Sequence, residues 1–403
     1  MLQAADFQQE LDNILGYWMT CVPDHEHGGF YGQVSADNQP NPRAPKGSVL
    51  NARILWTFAA AYGRSQDPAH LAVARRAYEY LTIHFLDPDH GGVYWTVDYL
   101  GQPLDTKKQL YALAFSLYGL AEYCRASGDE TALAHAQTLF YSIELGGFDR
   151  LRGGYYEAFA RDWQSIDDLR LSDKDANAQK TTNTHLHILE AYTTLYQVWP
   201  DPQLRQQLNA LLLNFTDHII DPRTQHLTLF FDEDWQPQPD AISFGHDVEA
   251  AWLLLEAAQT LGEPCLVIHF QEVAVQMAQA AAEGLAPDGS LRYELAPGGH
   301  WADDRHWWVQ AEAVVGFYNA FEVSGDAQFQ ARSEDAWRFI QAHILDRSQG
   351  EWHWGVRADY SPMPGEDKVG PWKCPYHNSR ACLEMLRRLG SIGVTDTLQT
   401  IPG

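Results

Sequence analysis

The chain has 403 residues, 45% hydrophobic and 12% aromatic, and a formal net charge of −25 at pH 7. That acidic balance argues against a nucleic-acid partner, whose phosphates need clustered Lys and Arg, and against an anionic membrane surface. No uncharged apolar window reaches the roughly 18 residues of a membrane span, the N-terminus lacks the basic and apolar regions of a signal peptide, and the expected location is the cytoplasm. Five scattered cysteines (Cys21, Cys124, Cys265, Cys374 and Cys382) form no C-x-x-C, which argues against a disulfide framework or a structural zinc site.

From the N-terminus, an aromatic-rich marker recurs. H-G-G-F-Y-G begins at His27, H-G-G-V-Y-W at His90 and R-G-G-Y-Y-E at Arg152; degenerate forms follow from Gln225, Asp288 and Gln349. Taking Gly28, Gly91, Gly153, His226, Gly289 and Gly350 as reference points, the spacings are 63, 62, 73, 63 and 61 residues. Five such similar intervals in a chain without low complexity indicate an internal repeat. Five markers also follow an aspartate: Asp24, Asp87, Asp149, Asp221 and Asp346.

Between markers lie two helical patterns, apolar at spacings of three and four. L-N-A-R-I-L-W-T-F-A-A-A-Y is followed by L-A-V-A-R-R-A-Y-E-Y-L, and H-D-V-E-A-A-W-L-L-L-E-A-A by a helix over residues 266 to 283. The first of each pair is Ala-rich and apolar on most sides, the second amphipathic, so six pairs predict one all-α domain over residues 1–403. Its form is an (α/α)6 barrel of six inner and six outer helices, with short β-hairpin insertions at one end. An open solenoid of helix pairs is the competing architecture.

In such a barrel the marker loops open at the N-termini of the inner helices, so polar residues there converge on one cleft. They are Arg53; Tyr111; Asn183 and His187; His246 and Glu249; Trp307, Trp308 and Glu312; then Trp372, His377 and Arg380. Burying six such sets without a role would be costly. Asn183 and His187 are four apart and share a face, which favours His187 over His185. His246 and Glu249, three apart, read as an imidazole with its orienting carboxylate, whereas Asp247 reads as an ordinary first-turn acid. Adjacent Trp307 and Trp308 cannot both face the cleft, so the readings are core packing for the whole run, or one ring as a sugar platform with the other packed. Arg53 amid apolar neighbours requires a partner, either a carboxylate such as Glu249 or Glu312 or a substrate oxygen. Glu190, Glu256 and Glu384 lie further along their helices and read as structural. The 17 histidines include no H-E-x-x-H or H-x-x-x-H, so no metal site is expected.

A cleft with histidines, one arginine and aromatics suits proton transfer beside a carbonyl, because imidazole, with a pKa of about 6.5, can take and return a proton near neutrality. Glycoside hydrolysis is the competing chemistry and needs two carboxylic acids flanking the scissile bond. A non-catalytic sugar-binding protein would explain the aromatics but not the repeated histidines.

N-T-H-L-H-I-L-E-A-Y (183–192), S-F-G-H-D-V-E (243–249), W-W-V-Q-A-E-A (307–313) and G-P-W-K-C-P-Y-H-N-S-R (370–380) together resemble the N-acylglucosamine 2-epimerase superfamily, most closely its cellobiose 2-epimerase branch. The resemblance covers nearly the whole chain and implies the same barrel. It implies a reversible inversion at C2 of the reducing-end sugar, without metal or cofactor, through a cis-enediolate. By motif position, His377 would assist ring opening and act as one acid/base, His246 would serve the opposite face, and Glu249 would orient His246. Arg53, Tyr111, Asn183 and His187 would hold O1, O2 and their neighbours; Trp308 and Trp372 would stack on the sugar. Mannose 2-epimerases resemble the chain through the same motifs. The separating feature is expected in the insertion at residues 160 to 180, which lengthens the third interval.

Overall fold

The computed structural model describes residues 1–238 and 241–395. Outer and inner helices alternate along the chain: α1 (Ala4–Thr20), α2 (Ser48–Ser65), α3 (Pro68–Tyr80), α4 (Leu110–Ser127), α5 (Glu130–Ser142) and α6 (Thr182–Val198). The second half repeats the order with α7 (Pro202–Asn214), α8 (Phe244–Leu261), α9 (Pro264–Ala281), α10 (Trp307–Ser324), α11 (Ala327–Phe339) and α12 (Tyr376–Thr395). The even-numbered helices are inner and pack in ring order, with α12 returning onto both α10 and α2. That contact closes the ring and rules out the open solenoid.

Local sequence explains the alternation. Inner helices are buried almost all round; α4 is covered continuously from Leu110 to Tyr123. Outer helices bury one stripe, as α3 does with Ala74, Ala77 and Tyr80. Inner helices α4, α8 and α10 end on left-handed Gly128, Gly262 and Gly325. Outer helices then start on capping aspartates, Asp67, Asp129, Asp201 and Asp326, whose carboxylates accept first-turn N–H groups.

Each outer helix runs into a marker turn closed by one antiparallel bridge: Pro23–Phe30, Leu86–Val93, Phe148–Tyr155, Ile220–Leu227, Leu285–Leu291 and Leu345–Trp352. The two glycines of the first three markers have positive φ, and a Cβ on Gly29 would lie 2.6 Å from the Tyr80 ring. In the fourth repeat the residue equivalent to Gly28 is Gln225, at φ 64°, and not His226 as the spacing had suggested. Its N–H bonds Asp221 O as the Gly28 N–H bonds Asp24 O.

The residues leading into each inner helix pair with a strand of the next repeat, as Lys46–Gly47 with Val97–Thr96 and Lys180–Thr181 with Phe231–Phe230. The sixth such link joins Val369 to Val34 and closes the strand ring as well. The marker aspartates then acquire a purpose that spacing alone did not reveal. Lys46, Lys108, Lys180 and Lys368, at the start of those strands, each place Nζ 2.8–2.9 Å from the carboxylates of Asp24, Asp87, Asp149 and Asp346. These buried clasps tie each marker turn to the base of the inner helix that follows. Ile242 replaces the lysine in the fourth repeat, where His226 pairs instead with Asp247 at 2.7 Å. Asp247 is therefore a fully buried partner and not an ordinary first-turn acid.

Burial alone would raise the Asp24 carboxyl, but the Lys46 hydrogen bond and backbone N–H groups hold it below the ordinary carboxylate value. A depressed carboxyl contributes stability that is complete above its unfolded pKa, about 3.9, and is lost as pH falls through the folded value. Acid titration of unfolding for Asp24→Asn is accordingly expected to show about one proton fewer taken up below pH 4 than the unsubstituted protein. An unchanged acid limb would show that the clasp carries no charge.

Candidate active site

All six inner helices present their first two turns to one mouth. Its floor is a buried charge network centred on Arg380 of α12. The guanidinium donates to Glu190 of α6, Glu249 of α8 and Glu312 of α10, the last at 2.6 Å, so three carboxylates from three helices converge on one cation. Glu190 also accepts from the Tyr376 hydroxyl and pairs with His187 Nδ1 at 2.9 Å. Glu312 holds His377 Nδ1 at 2.7 Å through Oε1 and accepts from Trp252 Nε1 at 3.1 Å through Oε2.

The three carboxyls do not share one protonation state. Burial opposes ionisation of Glu190, but Arg380 and His187 overcome it and bring its pKa to about 2. Burial and repulsion from Glu312 outweigh Arg380 at Glu249 and raise it to about 8. Glu190 is thus the committed anion and Glu249 the carboxyl that retains a proton at neutral pH.

The imidazoles are held neutral. Burial, then the neighbouring His187, lowers His246 to about 3 despite Glu312. Burial followed by Arg53, Arg380 and His187 pushes His377 well down. A neutral imidazole whose Nδ1 is already engaged offers Nε2 to the cleft. His246 Nδ1 faces Ser243 Oγ at 2.8 Å. The expected Glu249–His246 pair is therefore absent: Glu249 turns to Arg380, and a hydroxyl orients His246 in its place.

Arg53 is buried without a carboxylate partner. Its Nη2 donates to the Tyr111 hydroxyl at 2.7 Å, and its guanidinium lies 4.1 Å from the Phe115 ring centre and 4.9 Å from that of Tyr376. Arg53 Nε and Asn183 Oδ1 are buried polar atoms with no protein hydrogen-bond partner. Tyr111 meets His187 edge-on at 5.1 Å and Trp372 at 6.0 Å. Trp308 borders both His246, at 4.9 Å, and His377, at 5.6 Å. Trp307 is buried beneath the mouth, against Trp354 at 4.8 Å with Lys373 over its ring, and meets His377 edge-on at 6.4 Å. Asn183, His246, Trp308 and Trp372 keep partial exposure and form the open surface.

Glu249, Glu312 and His377 offer ligand atoms within 4.8 Å of one another, the one such group among the described residues. Arg380 Nη2 bonds both carboxylates, so the position a metal ion would take between them is filled by the protein's own cation. The same placement weighs against glycoside hydrolysis, since two carboxyls turned onto one buried guanidinium cannot flank a glycosidic bond.

Beside the mouth, a cavity of about 370 Å³ lies between Trp95 and Trp372 on one side and Asp168, Arg170 and Ser172 on the other. The insertion at residues 160 to 180 thus lines a cavity shared with Trp95 and Trp372. Ser243 and Tyr376 were not singled out from sequence, and Glu190 was read as structural. Glu190 lies three residues from His187 and Tyr376 four from Arg380, so shared helix faces carried the signal for both.

The N-acylglucosamine 2-epimerase (GlcNAc 2-epimerase) family model matches residues 28–381. A cellobiose 2-epimerase of Bacteroides fragilis is 51% identical, covering 94% of this chain and 98% of that protein. The structure of cellobiose 2-epimerase from Spirochaeta thermophila superposes with a TM-score of 0.91 at 43% identity, covering 96% of this chain and 97% of that one. D-mannose isomerase of Marinomonas mediterranea is more distant, 22% identical over 93% of this chain and 94% of that protein. Barrel, imidazole-lined mouth and relatives together define a carbohydrate epimerase, an isomerase. The chain belongs to the N-acylglucosamine 2-epimerase family.

Proposed function

We propose that the protein is a cellobiose 2-epimerase, converting the reducing-end glucose unit of cellobiose reversibly to mannose. The observation that carries this reading is the pair of neutral imidazoles, His246 and His377, bordering Trp308 with both Nδ1 atoms already engaged. With the sugar ring opened by proton transfer at His377, one Nε2 takes the C2 proton and the electron pair passes into a cis-enediolate. Arg53 and Tyr111 hold the developing negative charge on O1 and O2, where a buried guanidinium acts without reorganisation. After rotation about C2–C3, the other imidazole, protonated from solvent at Nε2, delivers that proton to the opposite face and returns to neutral, while the first passes the proton it took to solvent. Glu312 stabilises the imidazolium that forms on His377.

Asn183 and His187 bind neighbouring hydroxyls, and Trp308 and Trp372 supply the stacking faces. The cavity between Trp372 and the insertion supports a substrate with a second sugar. The five free cysteines fit a reducing compartment, consistent with the cytoplasm.

Incubation with cellobiose in D2O, in EDTA, is expected to yield the 2-epimer carrying deuterium at C2, with free mannose processed more slowly. Absence of C2 exchange from both sugars would remove the reading; faster exchange from mannose would replace the substrate. Loss of activity in EDTA would overturn the metal-independent chemistry.

A further inference from the structure

Ser243 stands at the N-cap of α8, with extended backbone (φ −104°, ψ 98°), where a serine ordinarily accepts a hydrogen bond from a first-turn N–H. It makes no such cap. Its hydroxyl, in a residue only 1% exposed, lies instead 2.8 Å from His246 Nδ1. The equivalent residue of the third repeat behaves differently. Thr181 caps α6 through the Thr184 N–H at 3.1 Å and donates to Glu157 at 2.8 Å. Two hydroxyl residues at one register of the repeat therefore serve different ends, and the one beside the catalytic candidate forgoes the helix.

We infer that Ser243 is a positioning residue for His246, fixing the imidazole plane so that Nε2 addresses C2 of the sugar; this rests on the epimerase reading above. The choice of a hydroxyl over a carboxylate has a chemical consequence. Glu312 can only accept, so the anion at His377 Nδ1 stabilises an imidazolium. With Nε2 free to act as base, Nδ1 carries the hydrogen in both the neutral and the cationic ring, and the uncharged Ser243 hydroxyl accepts it in both. When His246 Nε2 takes the C2 proton, the C–H bond breaks, the pair enters the enediolate and the ring becomes cationic with Nδ1–H donating to Oγ. On return the N–H bond at Nε2 breaks and the C–H bond re-forms. Ser243 holds the ring through both directions without fixing its charge, as a reversible reaction requires.

Ser243→Ala and Ser243→Thr test this in the full-length enzyme with cellobiose. The alanine variant is expected to lose about tenfold or more in kcat, with KM within about twofold and an unchanged melting temperature, since no cap is lost. Threonine, which the repeat already accommodates at this register, should restore kcat to within about threefold of the unsubstituted enzyme. Retained kcat in the alanine variant, a loss carried by KM or by the melting temperature, or a loss that threonine leaves unrepaired would each overturn the inference. Failure of the epimerase reading shows separately, as absence of C2 exchange in the unsubstituted enzyme.

Discussion

His377→Asn is expected to slow C2 deuterium exchange from cellobiose by about a thousandfold or more, roughly 4 kcal/mol of barrier. Asparagine retains an N–H that can reach Glu312 Oε1, now 2.7 Å from His377 Nδ1, so the buried acceptor is not orphaned. It has no basic nitrogen, so neither ring opening nor proton transfer can proceed through it. Thermal unfolding should therefore be nearly unchanged while exchange collapses. Activity surviving within about tenfold, roughly 1.4 kcal/mol, would remove His377 from the chemistry.

Arg380→Met is expected to act on stability first. The guanidinium is the shared partner of Glu190, Glu249 and Glu312, all fully buried, and its removal leaves uncompensated negative charge inside the barrel. Breaking a buried ion pair by removing one partner costs about 3–5 kcal/mol, readable as a drop in the denaturant midpoint. The pH dependence supplies a second signature. Without the cation Glu190, held at about 2, rises above its unfolded value of about 4.3, and Glu249 and Glu312, already raised, rise further. Such groups contribute stability that is complete below the unfolded pKa and lost as pH rises through the folded one, so the variant should gain stability as pH falls from 7 toward 5. Adding Glu190→Gln should recover part of the stability but not the exchange. A variant as stable as the parent at pH 7 would show that the network is not held by charge.

The residues entering the mouth were legible because each repeat announces itself. The marker spacing and the contrast between Ala-rich and amphipathic helices were enough for twelve helices and their nesting. Ring closure was not legible, since period alone is the same for a ring and a solenoid; the Val34–Val369 bridge and the α12–α2 packing decide it. Partners across helices were also beyond sequence. Helical spacing paired His246 with Glu249, but the rotamers send Glu249 toward Arg380, 131 residues away, and leave His246 to Ser243. Arg53 was expected to need a carboxylate or a substrate oxygen; no carboxylate pairs with it, and it contacts the Phe115 and Tyr376 rings and the Tyr111 hydroxyl. Glu190 was set aside as structural, although the His187 three residues before it shares its face and its carboxylate.

The lysine–aspartate clasps and the Arg380 network differ sharply in how far apart their members lie along the chain. Clasps join residues 21 to 31 apart, whereas Arg380 reaches back 190 residues to Glu190 and Arg53 contacts Cys374 across 321. Short-range links form at small loop-closure entropy, so repeats can organise one after another as the polypeptide emerges. The proton-transfer centre cannot: His377, Arg380 and their glutamates meet only when the last inner helix docks against the first. Recovery of epimerisation during refolding should therefore lag recovery of helical signal, making catalysis itself the reporter of the final assembly step.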